Sequence, residues 1–230
     1  MKTEIKLSDY EHPLIRNKAK ELTKDKINAM DKFEALFYFA RDEIKFGFPN
    51  KWDAVKASET LEYRIGYCNT KATFLLALCK AAEIPARIHT GLINIEIMQG
   101  ILPSFIFRKM PKKGGHSWLE FDIGNDWKPI DSYINDKPFY EGALKRLLES
   151  SNVSAFSISQ AKGESSCEFN FGEKGFVHMG AVVEDHGVWG DFSEYMSSDK
   201  YTGMNRMQLV MYPIIAMISN RNIRRIRLKY

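Results

Sequence analysis

Apolar residues recur at helical spacing in the first third of the chain, where Phe33, Leu36, Phe37, Ala40 and Ile44 share one face. Asp31-Lys32-Phe33-Glu34 opens that segment as a capping box with Asp31 in the cap, and Gly47-Phe48-Pro49-Asn50 stops it. A shorter helix is expected from about Ser58 to Arg64, with Gly66 as the left-handed residue beyond its end. From Cys68 to about Ala82 the residues are good helix formers. Ala72, Leu75, Leu76, Leu78 and Cys79 mark the apolar side, and Ile84-Pro85 closes the segment.

Past Pro85 the period falls to two. A strand is predicted over Ala86 to Ile97, bent at Gly91, and residues 98–114 are mainly a loop. In the next strand, His116, Trp118, Glu120 and Asp122 share one face, while Ser117, Leu119, Phe121 and Ile123 share the other. Gly124-Asn125 suits a two-residue hairpin turn, with Asp126 to Asp131 returning. That turn pairs Ile123 with Asp126, sets Asp131 opposite Trp118, and makes His116 and Asp131 diagonal neighbours, roughly 7 to 8 Å apart between backbones. A three-residue loop would turn Asp131 to the opposite face.

The register gives two cysteines different settings. Cys79 lies three turns into the helix, on its buried stripe, and behaves as a small hydrophobe. Cys68 stands at the helix start, where unpaired amides and the positive end of the dipole lower a thiol pKa to about 3.5 to 7.5. Cys68 alone has the setting of a nucleophile. A thiolate there, an imidazole on a strand and a carboxylate on the paired strand are the parts of an acyl-transfer site: sulfur attacks a carbonyl, imidazole moves the proton, and carboxylate fixes its tautomer. The Cys68 amide is one oxyanion donor, and Trp52 and Tyr38 are candidates for the second.

Composition narrows the class. The 230 residues, 44% of them hydrophobic, are enough for one core, and residues 1–230 are expected to form a single domain. A net charge of +4 does not point to nucleic acid. Met1 to Lys6 lack the apolar core of a signal peptide, and no run approaches the roughly 18 apolar residues of a membrane helix, so a cytoplasmic protein with no membrane partner is expected. The three cysteines are expected to be thiols.

Gly66-Tyr67-Cys68, the helix leading to Ile84-Pro85-Ala86-Arg87 and Gly91, His116-Ser117-Trp118-Leu119-Glu120, and Trp127-Lys128-Pro129-Ile130-Asp131 together resemble the core of the transglutaminase-like superfamily. The likeness covers about residues 30–135 and leaves 136–230 as a C-terminal elaboration. Asp9 to Ile15 and His178 to Phe192 are similar to flanking regions of short prokaryotic members. The resemblance implies a papain-like α+β fold, with helices packed on an antiparallel sheet and Cys68, His116 and Asp131 as catalytic triad. It implies a peptidase or amidase acting through a thioester, without metal or cofactor. An amine-accepting acyltransferase, or a peptide-binding module with a vestigial triad, are the alternatives. Nothing resembles the calcium-binding or β-sandwich domains of the eukaryotic enzymes.

The remaining features have plainer readings. Tyr67 and Trp118 flank the site and could line a substrate groove; Glu120 and Asp122 fit a solvated strand face. The wide spacing of Cys68, His116 and Asp131 matches no zinc signature. His178, Asp185, His186 and Asp191 are expected on surface loops, and Cys167 in a polar loop. Leu209 to Ile218 is a ten-residue apolar run followed by Arg221, Arg224, Arg225, Arg227 and Lys229; its shortness and Pro213 favour a core element with a solvated tail over docking on an anionic membrane or a nucleic acid.

Overall fold

The structure, a computed structural model, describes residues 6–122, 124–171 and 176–227. Ile123, expected to close a strand, and Lys229 of the basic tail lie outside the described residues, as do Met1 to Ile5.

Three helices come first: α1 (Pro13–Thr23), α2 (Ala29–Asp42) and α3 (Ala57–Tyr63). Asn28, not Asp31, caps α2, its side chain accepting the Asp31 amide at 2.8 Å, so the helix begins one turn earlier than the capping box suggested. α3 ends on Arg64, which itself takes the left-handed conformation expected of Gly66 (φ 54°). Gly66 is needed for another reason. It lies in the short strand β2 (Ile65–Gly66), paired in parallel with β1 (Lys45–Phe46), and a Cβ there would stand 2.8 Å from Thr70 Oγ1.

Helix α4 (Cys68–Ala81) is the centre of the molecule: every residue from Cys68 to Cys79 is buried, polar ones included. α1, α2 and α3 pack around it on one side and the main sheet on the other. Burial of Lys71 is possible because its Nζ donates to the carbonyls of Arg41 (3.1 Å) and Ile44 (2.6 Å) at the end of α2. The same burial pulls the Lys71 pKa down to about 7.

The sheet runs β5-β4-β3-β8, all antiparallel, with β3 Ala86–Asn94, β4 Lys113–Asp122, β5 Trp127–Ile130 and β8 Val182–Trp189. Asp122 pairs with Trp127 and Leu119 with Ile130, the register that a Gly124-Asn125 turn dictates. β3 bends where expected. Its register against β8 slips after Thr90, and a Cβ on Gly91 would meet the Glu184 carbonyl oxygen at 2.3 Å. The 98–114 segment holds the end of a 3-10 turn (Ile95–Met98) and a short helix, α5 (Ser104–Phe107). The inner face of β4 carries Ser117, Leu119 and Phe121, with Phe121 stacked on Phe33 of α2 at 4.2 Å between ring centres. The fold is thus α+β, helices against an antiparallel sheet.

After β5 the chain forms α6 (Lys137–Leu148), a small hairpin of β6 (Ser154–Ala155) and β7 (Ile158–Ser159), β8, α7 (Phe192–Met196) and the long α8 (Arg206–Arg227). Several polar residues assigned to surface loops are buried here. Asp191 caps α7 through the Ser193 amide and also receives the amides of Leu7 and Ser8, tying the start of the chain to the end of β8. His186 is buried against Tyr195, and Cys167 is buried with its carbonyl held by Arg41 Nη1 at 2.9 Å. The expected core element near the C-terminus is only half core: α8 buries Tyr212, Ala216, Ser219, Ile223 and Ile226, half-buries Ile215 and Ile218, and leaves Met207, Leu209, Val210, Met211, Ile214 and Met217 exposed. Arg227 anchors it, with a bidentate pair on the buried Asp136 carboxylate (2.9 and 2.6 Å).

Candidate active site

Tyr67 precedes the first turn of α4, and its amide donates to Thr70 Oγ1 at 3.0 Å, which fixes where the helix starts. Cys68 is therefore the first helical residue, as expected, but it is not exposed: 7% of its surface meets solvent. Its thiol donates to Oδ1 of Asn69 at 3.5 Å, and the same oxygen accepts from Ser117 Oγ at 2.9 Å. Asn69 follows the cysteine and Ser117 follows His116, so this bond lays the two candidate residues' backbones side by side.

Behind Asn69 stands a carboxylate that gave no signal in the sequence. Asp53 is buried and accepts from Asn69 Nδ2 (2.8 Å), from Tyr201 Oη (2.8 Å) and from the Tyr67 hydroxyl. Trp52 stacks on Tyr67 at 5.3 Å and meets Tyr212 edge-on at 5.1 Å. Tyr67 and Trp52 thus join the cluster, together with Tyr201 and Tyr212 from the C-terminal segment. Tyr38 does not: its ring lies under Arg41 and against Phe37 and Phe169.

On β4, His116 is buried between Trp118 (5.7 Å between ring centres) and His178 (5.2 Å). Neither of its ring nitrogens, nor the indole nitrogen of Trp118, has a hydrogen-bond partner among the described residues. Trp118 in turn stacks on His89 at 4.3 Å. The strand face assigned to solvent is built over: Glu120 is buried, bonded to Arg87 Nε at 2.6 Å and His89 Nδ1 at 2.7 Å.

Asp131, just beyond β5, is buried and held by main chain. Val177 N donates to Oδ1 at 2.7 Å, and the amides of His178 and Met179 donate to Oδ2 at 2.8 Å each. His178, flagged in the sequence but assigned to the surface, sits against His116 while its own amide holds Asp131. Its Nε2 faces the Ser157 carbonyl at 3.0 Å.

Burial sets the charges. It pushes the Cys68 thiol up to about 12, helped by the negative charge of Asp53 and only partly offset by the Ser117 and Asn69 amides. The lowered pKa expected of a helix-start cysteine is absent, because the sulfur has lost its water and faces carboxylates. Burial also holds His116 well below its ordinary value, His178 down to about 4, and Asp131 up to about 7. Thiol and imidazole are both neutral at physiological pH. Among the described residues no cluster of His, Cys, Asp and Glu could hold a metal ion.

A family model described as the transglutaminase-like superfamily matches residues 16–132, a little over half of the chain, and the chain belongs to that superfamily. No curated protein matches it. Solved structures similar to it include two from bacteria. One is described as a "putative cysteine protease" from Cytophaga hutchinsonii, with 15% identity and a TM-score of 0.49, over 83% of this chain and 46% of that one. The other, a "putative protease" from Parabacteroides distasonis, has 12% identity and a TM-score of 0.36, over 54% of this chain and 25% of that one. The chain spans less than half the length of either.

Proposed function

We propose that this protein is a cysteine hydrolase of amide or peptide bonds, with Cys68 as nucleophile, His116 as base then acid, and Asp131 orienting the imidazole. The observation that carries the reading is the Asn69–Ser117 hydrogen bond, which sets the helix start bearing Cys68 beside the strand bearing His116. Two further features support it. Buried polar atoms without partners are rare, and here His116 and Trp118 supply three at one place. A carboxylate has about four acceptor positions, so the three amides on Asp131 leave one for an imidazole N–H.

In the reaction, His116 takes the thiol proton and Sγ adds to the substrate carbonyl. The C–N bond then breaks, the imidazolium gives its proton to the departing amine, and a thioester remains. Water, deprotonated by His116, adds to the thioester; collapse releases the acid and returns the proton to sulfur. In the structure the Cys68 thiol keeps its proton and points it at Asn69 Oδ1; the reaction requires that proton to pass to His116 instead.

The test is a screen of peptide and amide substrates with mass spectrometry of products and of the protein. Hydrolysis with a thioester trapped on Cys68, lost by about 10³-fold or more in Cys68→Ala, is expected. Exchange with an added amine in preference to water would instead define an acyltransferase. Peptide binding that is equal in wild type and Cys68→Ala, with no thioester, would identify a binding module and overturn the proposal.

A further inference from the structure

One stripe of α8 faces away from the core. Met207, Val210, Ile214 and Met217 follow one another at spacings of three and four residues and are 74, 76, 51 and 62% exposed. They form an apolar line of roughly 15 Å. The line continues into Arg221 and Arg224, with Arg225 beside it and Arg206 at its other end, all exposed. No Asp or Glu occurs from Lys200 to Arg227.

Single exposed apolar residues are ordinary, but a contiguous stripe on a helix that carries exposed arginines and no carboxylate of its own has the composition of an interaction surface. We propose that α8 lies on an anionic phospholipid bilayer, its apolar stripe seated among the acyl chains at the headgroup boundary and Arg221, Arg224 and Arg225 bonded to lipid phosphates. This departs from the core role expected of the apolar run. Charge selects the occupant. A second copy packed α8 against α8 would bring arginines against arginines with no carboxylate on either helix, and a nucleic acid would leave the apolar stripe in water. The helix lies on the bilayer and does not cross it: among the described residues no helix is long and apolar enough to do so.

The full chain, co-sedimented with phosphatidylglycerol–phosphatidylcholine vesicles and with phosphatidylcholine alone, tests this. Binding is expected only to the anionic vesicles, weakened at least about tenfold by high salt or by Arg221→Gln/Arg224→Gln/Arg225→Gln. Val210→Ser/Ile214→Ser is expected to lose binding with an unchanged melting temperature. Should that variant fold poorly, Ile214→Trp gives a direct reading: its emission shifts to the blue and is quenched by brominated acyl chains. Absence of wild-type binding to anionic vesicles, or equal binding to neutral ones, would overturn the proposal. So would self-association that Val210→Ser/Ile214→Ser abolishes.

Discussion

Asp53 decides which way round the Asn69 side chain stands. Its carboxylate can only accept, so the Asn69 amide nitrogen faces it at 2.8 Å and the amide oxygen is left toward Cys68 and Ser117. After burial itself, the same carboxylate is the strongest influence opposing ionisation of the thiol, ahead of Asp131.

Asp53→Asn keeps a polar side chain of the same shape and removes that charge. Alkylation of Cys68 at pH 8 is expected to rise about three- to tenfold, its pH midpoint moving down, while Cys79 and Cys167 in the same sample hold their rates. Iodoacetamide labelling with peptide mass spectrometry reads all three. An unchanged Cys68 rate beside a lowered urea midpoint would make Asp53 an anchor only.

Acid destabilises the fold through its buried imidazoles. His178 is held down to about 4, so the unfolded chain takes up a proton near pH 6.5 that the folded chain refuses. The resulting stability is full above pH 6.5 and is lost as the pH falls toward 4, by on the order of 3 kcal/mol. Asp131 works the other way: held up to about 7, it favours the fold in acid and loses that advantage as the pH rises from about 4 to 7. Urea titrations at several pH values on wild type and His178→Asn separate the two: as the pH falls from 6.5, wild type is expected to lose stability relative to the variant, which has no imidazole at 178 to protonate.

Arg227→Met leaves the Asp136 carboxylate buried without its cation, though still bonded to the Phe46 and Phe139 amides. The expected loss is about 3 kcal/mol, the low end for a buried pair because Arg227 keeps a fifth of its side chain in solvent. A shift in urea midpoint with unchanged slope is the measurement.

Two glycines in neighbouring strands form an internal comparison. Gly91→Ala drives a methyl group against the Glu184 carbonyl and is expected to cost about 2 kcal/mol, whereas a Cβ at Gly115 meets nothing within 4 Å. The melting temperature should fall by roughly 4 to 8 °C in the first variant and stay within about 1 °C in Gly115→Ala.

What the sequence made legible was local. The β4–β5 register followed from a two-residue turn, the bounds of α4 from its end signals, and the bend in β3 from Gly91. The apolar stripe of α4 misled because the helix is surrounded. Asn69, Lys71 and Thr73 resemble a solvated face until their partners, Asp53, the Arg41 and Ile44 carbonyls and the Asn69 carbonyl, arrive from other parts of the chain or the turn before. The cover of the site was illegible for the same reason. Asp53, His178 and Tyr201 lie in segments with no periodicity linking them to Cys68 or Asp131, and only packing reveals that they converge.

The amides that hold Asp131 belong to residues 177–179, some 46 to 48 positions downstream. During synthesis, at about 5 to 20 residues per second, Cys68, His116 and Asp131 all leave the ribosome several seconds before the amides that hold the last of them. A nascent chain therefore carries Cys68, His116 and Asp131 for some seconds with the Asp131 carboxylate still in water, before the three amides that fix its direction exist.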